Sequence, residues 1–433
     1  MSEMAQLKLL PYVRLVEDEV SPEGFEIIRF PKRGRDALRF RNNLVVVGKG
    51  ENRFALEIKP AFKEDVIALN AMVKAGTISM DEAETVAFVS RNLLDRITRL
   101  RGGSVKSLWV TDGVEDVTTG ADPEFGLITT DPKGDKYLVP GNSVLPKRGK
   151  FGSDGPGVEV RPAPSRDYRQ VIANIKEILS NPPDVTKAYE WIGGATYRDK
   201  RRTYWFGGHI HFGRPLQILP SKATSCFRSI AAVLDAYLSF PLVRFDKPEP
   251  NLRRNGCSVG YGKAQTNDSI RADYDTTCSR FEYRVPSGLW LVHPTLAKAV
   301  MGTAKCVVEA AYRRMAGKNF DYNWISAHTA NSLVGSFNIP NYPEIVSIIN
   351  GSETAKITAQ HLMHWKAQLK NLETYPQYKR EVDCLLAITE TPPNVVVPDL
   401  CLDLRANWIH QQSLLPHVNL PLVRTAIEAL EAS

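Results

Sequence analysis

The sequence contains no CxxC pair, and its six cysteines (Cys226, Cys257, Cys278, Cys306, Cys384, Cys401) are scattered along 433 residues. A disulfide framework and a structural zinc site are therefore not expected, and reduced thiols of a cytosolic protein are the default. No uncharged apolar run approaches the ~18 to 20 residues that cross a bilayer. Met1 to Glu19 carries Glu3, Glu17, Asp18 and Glu19 in place of the charged-then-apolar pattern of a signal peptide. Glycine (29) and proline (28) are ordinary, and 43% hydrophobic with 24% charged residues excludes disorder and low complexity. No internal repeat, no GxxxxGK[ST] loop and no strand-linked GxGxxG fingerprint occurs. A strong charge of one sign is also missing. The net +7, from 55 basic and 48 acidic residues, permits an anionic ligand such as a nucleotide without requiring a DNA-coating protein. These absences predict a soluble, cytoplasmic globular protein with no membrane partner. At ~150 residues per domain, the length corresponds to about three domains or one large, insertion-rich one.

Three textures follow one another along the chain. Residues 1–115 read as a mixed accessory region. Asn43 to Gly48 is a short apolar strand candidate. Ser79 and Glu82 form a capping-box pattern, and Val86, Val89, Leu93, Ile97 and Leu100 recur at helical spacing, predicting an amphipathic helix up to Gly102-Gly103. Lys32, Arg33, Arg35, Arg39 and Arg41 face only Asp36, as a solvated face or an anion-contacting arm.

Residues 116–295 alternate short β-like segments with two helices. Strands are expected over Phe125 to Thr129, Val158 to Arg161, Thr203 to Phe212 and Arg280 to Val285. The helices follow Ser165 (Val171, Ile175, Ile178, Leu179) and run near Cys226 to Leu238. Strand runs with inserted helices predict an α+β fold with an antiparallel sheet. Residues 296–433 read as a helical region: Leu296, Val300, Ala304, Val307, Val308 and Ala311 share a face up to Gly317, and further helices are expected near Thr354 to Leu372, Pro376 to Leu386 and Leu420 to Ala432.

Four middle segments hold the candidate chemistry. In Thr203-Tyr-Trp-Phe-Gly-Gly-His-Ile-His-Phe-Gly213, alternation puts His209 and His211 on one strand face, while Gly207, Gly208 and Gly213 would let a bulky ligand approach the backbone. The pair suits metal or phosphate contact, and equally fits two core histidines with satisfied hydrogen bonds. In Gly120-Ala-Asp-Pro-Glu-Phe-Gly126, Asp122 and Glu124 are also two apart, with Pro123 limiting strand pairing. Two carboxylates on one face repel unless a cation intervenes, and oxygen-rich sites select Mg²⁺ or Mn²⁺; a turn with a local Asp cap is the alternative. Gly152 to Pro162 pairs a glycine-rich turn with a strand on which Glu159 and Arg161 share a face. Arg280, Glu282 and Arg284 do the same in Ser279 to Pro286, opposite Phe281, Tyr283 and Val285. One such strand is ordinarily a solvated face laced with ion pairs.

Four within one region are harder to explain that way, because burying unpaired ions costs several kcal/mol each. Asp122, Glu124, Glu159, His209 and Glu282 are metal-type donors, with His211 beside them, and Arg161, Arg280 and Arg284 are suited to phosphate or carboxylate. Two metal ions and a polyphosphate account for the set economically. It points to ATP chemistry without a P-loop.

In this order, the segments resemble the glutamine synthetase and glutamate–cysteine ligase superfamily of carboxylate–amine ligases, most nearly its phage-associated phiEco32-type amidoligases (COOH–NH2 ligases type 2). Gly-Ala-Asp122-Pro-Glu124-Phe resembles the first acidic metal-binding strand, with Asp122 where glutamine synthetases generally have Glu. Gly157-Val-Glu159-Val is similar to a second metal-binding strand. Gly-Gly-His209-Ile-His211-Phe-Gly resembles the HxH strand, which implies His209 as a ligand of the second metal and His211 near phosphate or substrate. Arg280-Phe-Glu282-Tyr-Arg284-Val-Pro resembles the last strand. By that likeness Glu282 is a metal ligand, Arg280 a phosphate contact and Arg284 a contact to the transferring phosphate or substrate. Arg254 to Arg271, including Gly260-Tyr261-Gly262-Lys263, is similar to the branch's substrate or nucleotide loop, which adds Lys263 and Arg271 to Arg280 and Arg161 as nucleotide contacts. The third glutamate that glutamine synthetase places on the first metal has no matching position, and Asp154, in the turn before Glu159, is a candidate for it.

The resemblance covers roughly residues 118–295. It implies a curved antiparallel sheet of glutamine synthetase-like type. It also implies ATP with Mg²⁺ (or Mn²⁺), and a carboxylate and an amine joined through an acyl phosphate into an amide or isopeptide. Arg284 and His211 would be the catalytic residues. The alternatives are a metal-dependent hydrolase or nuclease, a guanidino kinase on the same site, or a non-catalytic interaction protein. The basic stretches Lys32 to Arg41 and Arg198-Asp-Lys-Arg-Arg202 are compatible with a nucleic-acid-linked substrate, although solvated segments are the ordinary account of such clusters.

Overall fold

The structure is a computed structural model. It describes residues 12–15, 26–30, 44–47, 54–61, 63–74, 86–89, 106–107, 117–213, 220–245, 262–266, 270–272, 280–316, 333, 335–339, 341–351, 356–390, 404–410, 413 and 421–432. The chain divides into two compact units. One comprises residues 1–114, 215–219 and 316–323; the other comprises 115–214, 220–315 and 324–433.

The first unit holds a six-stranded mixed sheet. Its strands are β1 (Tyr12–Leu15), β2 (Glu26–Phe30), β3 (Leu44–Val47), β4 (Phe54–Pro60), β5 (Val86–Val89) and β6 (Lys106–Ser107), in the order β3-β4-β2-β5-β1-β6, with helix α1 (Lys63–Lys74) after β4. The expected strand at Asn43 to Gly48 is β3. The helix expected through Val86 is not observed there: Val86–Val89 is a strand paired in parallel with Tyr12–Leu15. Val-Ala-Phe-Val satisfies an i, i+3 apolar template and a β-branched strand equally well, and pairing on both sides decides for the strand. Ser79, Glu82, Leu93, Ile97, Leu100 and the Lys32 to Arg41 cluster lie outside the described residues.

The second unit is α+β, built on curled antiparallel ladders. β7 (Thr119–Ala121), β15 (Ile210–Gly213), β17 (Arg280–Tyr283) and β16 (Ile270–Ala272) form one, in the order β16-β17-β15-β7. β8 (Glu124–Thr130), β9 (Lys136–Val139), β10 (Phe151–Asp154), β11 (Gly157–Val160) and β12 (Glu190–Ile192) form a second around β8. β13 (Thr196–Arg198) and β14 (Thr203–Trp205) make a hairpin. The single strand expected from Thr203 to Phe212 is thus two, β14 and β15, with the Gly207-Gly208 backbone between them leaving the regular pattern.

Alternation fixes which side faces the core. Ile210 and Phe212 on β15, and Phe281 and Tyr283 on β17, are fully buried. Phe281 stacks on Phe212 (centroids 5.4 Å) and on Phe227 (4.6 Å) of helix α3 (Pro220–Leu234). Each such side chain contributes about 1.5–3 kcal/mol of burial, so a one-residue register slip, which would turn His211 and Glu282 inward, is strongly disfavoured. Phe125, Phe151 and Trp191 form a similar aromatic knot under the second ladder. Helix α2 (Tyr168–Ser180) is capped by Asp167 and buries Val171, Ile175, Ile178 and Leu179, the face expected from spacing. α3 continues as a π-helical turn over Asp235–Ser239. α4 (Pro294–Ala316), α5 (Tyr342–Gly351), α6 (Ala359–Lys370), α7 (Lys379–Glu390), α8 (Leu404–Ile409) and α9 (Pro421–Glu431) complete the unit. Among the described residues no helix is long and apolar enough to cross a membrane.

Candidate active site

The polar faces of β7, β15 and β17 converge. His211 lies opposite Glu282 on one side and Gly120 on the other. Gly120 carries no side chain, and a Cβ there would already touch the His211 Cβ at 3.4 Å. The bulk opposite His211 is instead supplied two residues on, by Asp122. The ladder keeps its register past the end of β7: Asp122 N–H donates to the His209 carbonyl (3.3 Å) and Glu124 N–H to that of Gly207 (2.8 Å). Pro123, lacking an N–H, divides the segment. Asp122 therefore faces the histidine ladder, whereas Glu124 begins β8 and stands opposite Glu159 of β11.

Four side chains meet at close range. His209 Nδ1 lies 3.3 Å from Asp122 Oδ1 and 3.1 Å from Glu282 Oε1, and His211 Nε2 lies 3.1 Å from Asp122 Oδ1. Asp122, His211 and Glu282 offer three donor atoms within 4.8 Å of one another. Arg284 Nε is 3.3 Å from Glu282 Oε1, and Arg280 Nη1 is 3.1 Å from His211 Nδ1. A guanidinium only donates, so His211 accepts at Nδ1 and carries its ring proton on Nε2, toward Asp122. Asp122 Oδ1 and His211 Nε2 are buried and face each other without the alignment of a hydrogen bond. An open pocket of about 250 Å³ lies against them, bordered by Gly120, Asp122, Arg161, His211, Gly213 and Arg280.

The carboxylates divide by environment. Burial alone would raise Asp122, but the imidazoles of His211 and His209 overcome it and hold the group well below the usual carboxylate range. Burial also opposes ionisation of Glu282, where the hydrogen bond from His209 wins and Asp122 resists, leaving a lowered value. Glu124 goes the other way: burial dominates, and neither His209 nor the Gly207 N–H donating to Oε2 (2.7 Å) offsets it. Glu159 is paired with Arg161, whose guanidinium also donates to the Gly149 (3.1 Å) and Ser153 (3.4 Å) carbonyls. Arg161 is thus a strut between β11 and the 149–153 segment at the pocket's edge.

The Asp122 and Glu282 carboxylates around His209, with the buried Asp122 Oδ1 left without a hydrogen bond, fit a divalent cation of the Mg²⁺ or Mn²⁺ type. Arg271 lies opposite Glu282 on β16 and is exposed. Lys263 is on a turn outside these strands, where Ala264 N–H donates to Asn350 Oδ1 (2.7 Å) and Asn350 Nδ2 to the Ala264 carbonyl (3.1 Å). Asp154 is exposed at the end of β10, close enough for its charge to raise Glu124. Arg254, Gly260 and Tyr261 lie outside the described residues.

Two expectations change. Gly208 does not open the backbone to a ligand, since a Cβ there would stand 2.0 Å from the Ser287 carbonyl oxygen, and at Gly213 Thr118 Oγ1 fills that space at 2.4 Å. The 198–202 turn is engaged with its own surroundings. Lys200 pairs with Asp135, Arg201 lies over Tyr137, Arg202 over Tyr204, and Asp199 accepts the Arg201 and Arg202 N–H groups. Lys305, buried on α4, was not foreseen. It sits among Ala304, Val307 and Val308, and a lysine inside an apolar stripe is the signal that could have found it.

Residues 119–330, just under half of the chain, match the family model described as Phage phiEco32-like COOH.NH2 ligase-type 2. The central segment belongs to that family. The protein is accordingly an amide-bond-forming carboxylate–amine ligase. No curated protein matches the chain. Among solved structures, the complex of prokaryotic ubiquitin-like protein Pup with its ligase PafA aligns at 12% identity and a TM-score of 0.35, over 74% of this chain and 81% of that one. A bifunctional glutathione synthetase from Pasteurella multocida aligns at 10% and 0.37, over 75% and 53%. At such scores neither carries an argument about the ligase.

Proposed function

We propose that the ligase uses ATP and Mg²⁺ (or Mn²⁺) to condense a substrate carboxylate with a primary amine through an acyl phosphate. The observation that supports this reading is the convergence of Asp122, His209, His211 and Glu282 beside a pocket rimmed by Arg161 and Arg280. The proposed catalytic core is 116–295, with 1–115 and 296–433 as accessory regions.

Asp122, His209 and Glu282 would hold one cation, and Glu124 with Glu159 a second. Bound there, the cations would neutralise charge on the phosphate oxygens and align the transfer. Arg280, Arg161, Arg271 and Lys263 bind the nucleotide in this scheme, and Arg284 orients the γ-phosphoryl group or the acceptor. The carboxylate oxygen takes the γ-phosphoryl group and ADP leaves. The amine nitrogen then attacks the acyl carbon, phosphate departs with its bridging oxygen, and a base removes the amine proton. His211, fixed by Arg280 with its proton on Nε2, donates toward the phosphate or substrate oxygen in the pocket. The 198–202 turn, engaged with its own neighbours, gives no preference to a nucleic-acid-linked substrate over a small-molecule or protein one.

The test is ADP release by the purified full chain, with carboxylate and amine panels and with Mg²⁺ or EDTA. Release that requires Mg²⁺, an amine and a carboxylate together is expected. Product release without ATP would replace this reading with a hydrolase, and ADP without amide would replace it with a kinase.

A further inference from the structure

Helix α4 carries a polar stripe on its buried side. Lys305 is 3% exposed, and its ammonium donates to the Val117 carbonyl (2.7 Å) and the Arg166 carbonyl, with Glu309 Oε1 3.6 Å away. Burial lowers its pKa, the Glu309 carboxylate opposing. Two turns along the same stripe, the Tyr312 hydroxyl donates to the Gly213 carbonyl (3.4 Å). These three carbonyls are not scattered. Val117 precedes β7 and Gly213 ends β15, and the two segments are joined by Gly213 N–H donating to the Thr118 carbonyl (2.8 Å). Arg166 follows Ser165, which exchanges both backbone hydrogen bonds with Thr119 (2.7 and 2.9 Å). Thr118, Gly120 and Gly213 border the pocket, and Asp122 lies three residues beyond Thr119.

A buried ammonium is costly, and a methionine of similar length would fill the same space without it. What the ammonium supplies and methionine cannot is a tie between the backbone entering β7 and the backbone after Ser165, beside the Thr119–Ser165 bridge. We infer that Lys305, seconded by Tyr312, is a positioning residue that fixes the β7 and β15 ends, and through them Asp122 and His211, at the pocket. This rests on the proposed active site, but the tie itself is a property of the strands.

The experiment compares Lys305→Met, Tyr312→Phe and, as a control, Thr374→Val in the full chain. The control removes a buried hydrogen bond to Cys306 on the same helix (2.8 Å) without touching the strands. Hydrogen–deuterium exchange of peptides covering 117–122 and 209–213 is measured, together with Mn²⁺ binding by electron paramagnetic resonance. In Lys305→Met the two peptides should exchange about tenfold faster or more, while α2 keeps its protection; the control should leave them unchanged. Mn²⁺ affinity should fall about tenfold or more, as for loss of a group that orients ligands. Tyr312→Phe should act at 209–213 alone, and it decides the matter if Lys305→Met fails to fold. Unchanged exchange in the folded variants, or equal loosening in Thr374→Val, overturns the inference. A wild-type chain that binds no Mn²⁺ sinks the metal-site reading instead, and the exchange data still decide the positioning role.

Discussion

Gly208→Ala probes how firmly the segment before His209 is held. The added Cβ would stand 2.0 Å from the Ser287 carbonyl oxygen and 2.4 Å from Trp290 Nε1. Neither neighbour can yield alone. The Ser287 hydroxyl accepts the Leu289 N–H (3.3 Å), Gly288 N–H donates to the Phe206 carbonyl (3.0 Å), and Trp290 is 2% exposed. The methyl group must therefore push residues 286–290 aside as a block. That breaks the bond from Gly208 N–H to the Pro286 carbonyl (3.0 Å) and from Trp290 Nε1 to the Gly208 carbonyl (2.9 Å). Two hydrogen bonds at about 1 kcal/mol each, with about 1–3 kcal/mol of overpacking, total about 3–5 kcal/mol. Urea unfolding followed by near-ultraviolet dichroism measures this. Gly155→Ala is the comparator, because Gly155 has φ +56° with open surroundings and incurs only about 1–2 kcal/mol of backbone strain. A Gly208→Ala loss no larger than that of Gly155→Ala would refute the reasoning. ADP release should also fall in Gly208→Ala, because His209 is the next residue.

Glu282→Gln and His209→Ala should each lower Mg²⁺-dependent ADP release by about 100-fold or more, and wild-type turnover in either would remove that residue from the site. Arg280→Lys keeps the charge but loses the fixed fork that donates to His211 Nδ1; turnover should drop while Mn²⁺ affinity holds, and a parallel drop in both would mean that Arg280 organises the metal ligands as well. The carboxylates set opposite pH trends in the metal-free protein. Asp122 and Glu282, with lowered values, stabilise the fold above the ordinary carboxylate range, and this contribution is lost as pH falls through their folded values. Glu124, with a raised value, contributes below its unfolded pKa and loses that contribution as pH rises through the folded one. Because Mg²⁺ competes with protons at Glu124, whose value is raised, the Mg²⁺-induced rise in Tm should be larger near about pH 8 than near about pH 5.5. An equal rise at both would argue against ligation by this group.

Much of the site was legible in the sequence because strands of period two, set off by glycine and proline, declare their faces. Alternation alone sorts Phe281 and Tyr283 against Glu282, and Ile210 and Phe212 against His211. The break at Pro123 was legible too, but not that it hands Asp122 to one ladder and Glu124 to another, since that depends on which strands pair. Val86–Val89 was misread because four apolar residues fit both periods and the partner, Tyr12–Leu15, is remote in sequence. Lys305 and Asp235 went unnoticed because a charged residue in a helix is ordinarily solvent-facing, and only tertiary packing turned these two inward. The roles of Gly208 and Gly213 were inverted for a related reason: a glycine signals that something comes close, and the sequence does not say whether that is ligand or protein.

The π-helical turn at Asp235–Ser239 has a consequence for how the chain tolerates change in length. Asp235 accepts the Tyr283 hydroxyl at 2.6 Å and that of Tyr342 at 2.9 Å, and the Ser239 hydroxyl meets Tyr283 at 2.8 Å. Both Asp235 and Ser239 thus hold the reverse side of the strand that carries Glu282. A π turn accommodates one residue more than an α turn, and one residue is worth about 100° of helical rotation. Removing a single residue anywhere from 235 to 239 would restore the α period and swing one of these two groups a quarter-turn away from the tyrosines. The unit should therefore accept no one-residue deletion there, a length constraint invisible to any scan of point mutations.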